Sequence, residues 1–133
     1  MKRRKFIATT ALGTSIVLLN NDVNARQIDQ TEEITHYVLF WLKKDLSDKD
    51  IKDFAGFFEL LKKIPVVKSM KYGKSASTNQ RDVVDNSFSY NLVATFKDIT
   101  AINIYEKHPI HLDAIKKYSQ FWEKVVVHDS LLG

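Results

Sequence analysis

A chain of 133 residues is long enough for one domain and too short for two. It contains no cysteine, which excludes a disulfide framework, a thiolate nucleophile, a Cys-ligated metal and a lipid anchor on Cys. The formal charge of +4 is concentrated at the start. Residues 1–25 hold four of the 20 basic residues and one of the 16 acidic ones, so the remainder carries +1. Its lysine pairs (Lys43-Lys44, Lys62-Lys63, Lys116-Lys117) are scattered, not gathered into the stripe that a nucleic-acid partner requires.

The first segment is read as an export signal. Lys2-Arg3-Arg4-Lys5 is a basic n-region, residues 6–19 form a mildly apolar stretch, and Val23-Asn24-Ala25 supplies the small and medium residues of a cleavage site. An apolar run of this length falls short of the roughly 20 residues that span a bilayer. Arg3-Arg4-Lys5-Phe6-Ile7 has the form of a twin-arginine (Tat) signal; a Sec signal or an uncleaved anchor are the alternatives. A signal peptide over 1–25 implies a periplasmic or otherwise extracytoplasmic protein, with no stable membrane span once the signal is removed. Residues 26–33 are polar and aperiodic and are read as a tail preceding the domain, 34–133.

Residues 34–42 read as a strand whose two faces, His36/Val38/Phe40/Leu42 and Tyr37/Leu39/Trp41, are both apolar. Residues 46–64 read as one helix, capped by Ser47 with Asp50 three positions on and carrying Ile51, Phe54, Phe57, Phe58 and Leu61 as a buried stripe. Pro65 ends it. Strands are predicted over 66–76 and 87–96, joined by a polar loop over 77–86. Asp98 is placed to cap a helix through Ile99, Ile102 and Tyr105, and His108-Pro109 interrupts it. A further helix is predicted over 111–123 and a last strand over 124–129. The order β-α-β-β-α-β defines an α+β, ferredoxin-like split βαβ fold. Helices cover one face of such a sheet, so a strand apolar on both faces asks for a second cover. A second copy of the same sheet is the simplest one, and a homodimer is expected.

The chemistry-bearing stretch is Tyr105-Glu106-Lys107-His108-Pro109-Ile110-His111. With it come His36-Tyr37-Val38 in the first strand, Ile64-Pro65 after the first helix, Gly73, Phe96 and Phe121-Trp122. In this order the set resembles the stress-responsive A/B barrel (Dabb) family, over about residues 34–130. The resemblance implies a dimeric α+β barrel with a small-molecule pocket in each protomer. From the family's plant polyketide-cyclase members it also implies a Tyr and a His acting together in an intramolecular aldol condensation. The matching positions are Tyr105 and His111, with His36 matching a pocket-lining His. Phe57 stands where those members carry a pocket Tyr, and Tyr90 where they carry a pocket His.

The chemistry also stands without the resemblance. Abstracting a proton α to a carbonyl needs a base with a pKa near neutrality, which points to His111. A neighbouring phenol, Tyr105, can donate a hydrogen bond to the developing enolate, and His36 can orient the substrate. The competing reading makes His111 a helix-start cap or packing residue, Tyr105 core, and His36 a half-buried strand histidine. His128, beside Asp129, is read as structural, and Trp41 and Trp122 as core or interface anchors. His108 and His111 are three apart, but Pro109 breaks the helical face and no third ligand is evident, so neither a metal nor another cofactor is expected. Three functions follow: a cofactor-independent cyclase- or lyase-like enzyme acting on a small carbonyl compound, a non-catalytic dimeric binding module for a small apolar ligand, and a haem-degrading or monooxygenase relative on the same fold.

Overall fold

The computed structural model describes residues 32–132. The export segment read over 1–25, and most of the polar tail, lie outside the described residues. Strand β1 (Glu33–Leu42) leads to two short helices, α1 (Asp48–Asp53) and α2 (Ala55–Leu61). Strands β2 (Ser69–Lys74) and β3 (Tyr90–Phe96) follow, then helices α3 (Ile99–Lys107) and α4 (Pro109–Tyr118), a 3-10 turn (Ser119–Phe121) and β4 (Trp122–Leu132). The four strands form one antiparallel sheet in the order β2-β3-β1-β4. This is the ferredoxin-like arrangement expected from the sequence.

The predicted caps are in place. The Ser47 hydroxyl accepts from the Asp50 amide at 3.1 Å, and the Asp98 carboxylate accepts from the Ala101 amide at 2.9 Å; each satisfies a donor that a helix start leaves unpaired. The single helix predicted over 46–64 is instead two. The Phe57 amide bonds back only to the Phe54 carbonyl, a three-residue step that tightens the helix at Phe54 while its backbone stays helical. Further three-residue bonds, Lys63 to Leu60 and Ile64 to Leu61, unwind the chain before Pro65 is reached. Gly56 sits where the Tyr118 hydroxyl occupies the space a Cβ would fill, so α2 and the end of α4 approach closely because that residue has no side chain.

Helix α4 begins two residues earlier than expected. Pro109 takes the first helical position, where its missing N–H costs nothing, and the His108 ring caps it, with Nδ1 accepting from the Ile110 amide at 3.1 Å. The helix ends at Tyr118, and the remaining residues to Phe121 form the 3-10 turn. Strand β2 is shorter than predicted because Val66 and Val67 lie in the turn, with the Val67 amide on the Ile64 carbonyl. Ser87 and Ser89 precede β3 and hold β1 through their hydroxyls, which accept from the Trp41 indole N–H and the Leu42 amide, both at 2.9 Å. Strand β4 outruns its prediction at both ends because β1 pairs with it from Glu33 opposite Leu132 to Leu42 opposite Trp122.

The core lies between the sheet and the helices. Ile34, Val38, Phe40 and Leu42 of β1 and Leu92, Ala94 and Phe96 of β3 bury one sheet face, and Phe54, Phe57, Phe58 and Leu61 close it from above. Phe40 meets Phe54, Phe57 and Phe58 edge-on, each at 5.6 Å between ring centres, the geometry aromatic quadrupoles favour. The opposite sheet face carries Tyr37, Leu39 and Trp41, all half-buried. Lys124 lies over the Trp41 ring, 4.5 Å from its centre. No helix among the described residues is long and apolar enough to cross a membrane.

Candidate functional site

A cavity of about 410 Å³ opens on the helix-covered side of the sheet. His36, Val38 and Phe40 of β1, with Val125 and Val127 of β4, form its floor. Phe57 and Leu61 close one wall, and Tyr105, Glu106, His111 and Ile115 another. Strand alternation explains the floor: residues two apart share a face, and the register sets Val38 beside Val127 and Phe40 beside Val125. Helix geometry explains the second wall. Tyr105 and Glu106 end α3, the His108-Pro109 break turns the chain, and His111 falls in the first turn of α4 facing back toward Tyr105.

Four of the five residues singled out from the sequence therefore line one cavity: His36, Phe57, Tyr105 and His111. Tyr90 does not. Its ring packs on Phe54 and Phe58 and its hydroxyl donates to the Ile51 carbonyl at 3.3 Å. The helix pair fills the space over β3 at that point, which makes Tyr90 a core residue. His108, rejected above as a metal ligand, is a helix cap. Among the described residues no group of three or more His, Cys, Asp or Glu side chains could hold a metal ion.

Tyr105 and His111 are in direct contact, with ring centres 4.7 Å apart and planes at 64°. His36 meets the other side of Tyr105 edge-on at 5.9 Å. Tyr105 is 1% exposed. Burial, reinforced by the Glu106 carboxylate, raises its phenol well above the usual value, so it is a neutral donor across the physiological range. Burial lowers the His111 imidazole below its ordinary value, His36 lowers it further, and the Glu106 backbone carbonyl pulls it partly back. The amino-terminal end of α4 also disfavours a cation there. The result is a neutral imidazole beside a protonated phenol, and the His111 Nδ1 atom is buried with no hydrogen-bond partner.

Two residues of the site escaped the sequence reading. Asp129 holds His36, with Oδ1 2.6 Å from Nδ1. An ionised carboxylate can only accept, so Nδ1 carries the hydrogen and Nε2 is the atom left to a ligand. The β1–β4 register sets His36 opposite Asp129, and the alternation Val125, Val127, Asp129 was the available clue. Glu106 was visible in the motif but had no assigned role; it lines the cavity.

Fold and cavity together define a ferredoxin-like α+β domain with an apolar pocket and an imidazole–phenol pair on its wall. Residues 34–131 match the Stress Responsive A/B Barrel Domain (Dabb), and the chain belongs to that family. It is 23% identical to olivetolic acid cyclase of Cannabis sativa over 97 residues, 72% of this chain and 93% of the relative. Among solved structures it resembles the hydroxynitrile lyase of Passiflora edulis, with 25% identity, a TM-score of 0.66, and coverage of 77% of this chain and 95% of the other. It also resembles a dimeric, ferredoxin-like protein of unknown function from Bacteroides fragilis, with 23% identity, a TM-score of 0.58, and coverage of 75% and 96%.

Proposed function

We propose that this protein is an exported, homodimeric, cofactor-independent enzyme of the lyase or cyclase type, acting on a small apolar carbonyl compound. His111 takes a proton from the carbon next to the carbonyl. Tyr105 donates its hydrogen bond to the oxygen on which the charge collects. His36, held by Asp129, fixes the substrate's orientation. The observation that carries this reading is the contact of a His111 held toward its neutral form with a protonated Tyr105 on the wall of a largely apolar cavity. The pair meets the needs of enolate chemistry: an imidazole held in its proton-accepting form, and a donor placed where charge develops. The relatives named as a cyclase and a hydroxynitrile lyase support the same class.

Export rests on the basic, apolar and small-residue pattern of residues 1–25. The homodimer rests on the half-buried apolar face of β1, which no helix among the described residues covers, and on the dimeric relatives of this fold. A mass of two chains under native conditions is expected, and a single-chain mass at micromolar concentration contradicts it.

The second reading, a binding module without turnover, is favoured by the predominance of carbon on the cavity walls. Deuterium exchange at the α-carbons of benzylacetone in heavy water separates the two. An enzyme accelerates exchange, and a binding module holds the ketone without exchanging it.

A further inference from the structure

Resting on the reading of the cavity as a carbonyl site, we infer that it accepts uncharged carbonyl compounds and turns away carboxylates and other anions, and that Glu106 sets this preference. Among the described residues, the ionisable groups on the wall are His36, Tyr105, Glu106 and His111, and no lysine or arginine joins them. A bound carboxylate needs such a cation, or several N–H donors, to replace the water it loses.

The two imidazoles do not supply that charge. His36 already faces its own carboxylate, since Asp129 lies 2.6 Å from Nδ1, and an incoming anion would meet the pair and not a free cation. His111 is buried and held toward its neutral form. Glu106, an exposed residue at the edge of the cavity, adds a negative charge that solvent partly screens. The field of its carboxylate opposes ionisation of the adjacent Tyr105 phenol, and it acts with the same sign on any anion seated beside that hydroxyl.

A transient enolate is not excluded by this arrangement. The proton leaving carbon stays on His111, so the imidazolium and the enolate form together and the cavity gains no net charge. A substrate that arrives as a carboxylate brings a charge that nothing in the wall balances. The site is therefore suited to neutral ketones, aldehydes and their neutral adducts.

Benzylacetone and hydrocinnamate test this. They share one shape and differ by a methyl group against a carboxylate oxygen. Their affinities are measured by calorimetry at about pH 8, above the ordinary histidine range, for the wild type, Glu106→Gln and Glu106→Lys. The wild type is expected to prefer the ketone by about tenfold or more. Glu106→Gln narrows the ratio by about twofold, and Glu106→Lys narrows it further, the effect limited by solvent screening of an exposed charge. Equal binding of both probes by the wild type overturns the proposal and leaves the pocket intact. A ratio that neither substitution moves removes Glu106 as its cause. Binding of neither probe overturns the proposal together with the reading of the cavity on which it rests.

Discussion

Tyr105 is the residue at which a packing role and a chemical role predict different outcomes. The ring is 1% exposed and touches three others: Phe96 at 4.8 Å, His111 at 4.7 Å and His36 at 5.9 Å between centres. Tyr105→Ala removes all of these contacts and costs about 3–5 kcal/mol. For a domain of this size that lowers the melting temperature by about 10–20 °C. Tyr105→Phe keeps the ring and removes only the hydroxyl, an oxygen whose burial already opposes its ionisation. The change in stability is expected within about 1 kcal/mol in either direction, since losing a desolvated hydroxyl without a strong partner is nearly neutral. Exchange of a ketone's α-protons should fall by about a hundredfold or more, the usual cost of one oxyanion donor. Urea unfolding and deuterium exchange on both variants measure the two effects separately. A Phe variant that loses several kcal/mol while exchanging at the wild-type rate would refute the reasoning and return Tyr105 to the core.

Three further outcomes are expected. The folded-state pKa of His111 lies below its ordinary value of 6.5, so the unfolded chain binds the proton more readily; its contribution to stability is complete above that value and is lost as pH falls through the window below it. The urea midpoint of the wild type should therefore fall more steeply on acidification than that of His111→Gln, and parallel curves would contradict the assignment. Gly56→Ala drives a methyl group into the Tyr118 hydroxyl and should destabilise the protein by about 1–3 kcal/mol; Tyr118→Phe in the same chain should recover part of the loss in a double-mutant cycle. Asp129→Asn removes the charged partner of His36. With that carboxylate 48% exposed, the stability cost should be only about 1 kcal/mol, while ketone exchange slows more than the small change in stability accounts for, because the His36 ring is no longer held.

Elements with strong local causes were legible in the sequence. Alternation in β1, the Ser47 and Asp98 caps and the His108-Pro109 break all depend on neighbours within a few positions, and each appears in the structure. The errors came from tertiary contacts. Nothing local distinguishes one helix from two at Phe54, where the backbone stays helical and only the bonding pattern tightens. Nothing local shows that β4 runs to Leu132, because its extent is set by the length of β1 beside it. The site divides in the same way. Tyr105 and His111 lie in one short motif and were found together. Asp129 is 93 positions from His36 and becomes its partner only through strand register. Tyr90 enters the pocket only through the resemblance to the family, and the helix pair over β3 packs it in the core instead.

The central claim is that His111 moves a proton. Its most direct test is the rate of deuterium incorporation next to the carbonyl of benzylacetone, compared between the wild type and His111→Gln at matched ketone occupancy. The account predicts catalysed exchange in the wild type and a loss of about a hundredfold or more in the variant, with the fold and the bound ketone retained. Equal rates in the two proteins, or a wild type that binds the ketone and leaves its protons in place, would contradict it.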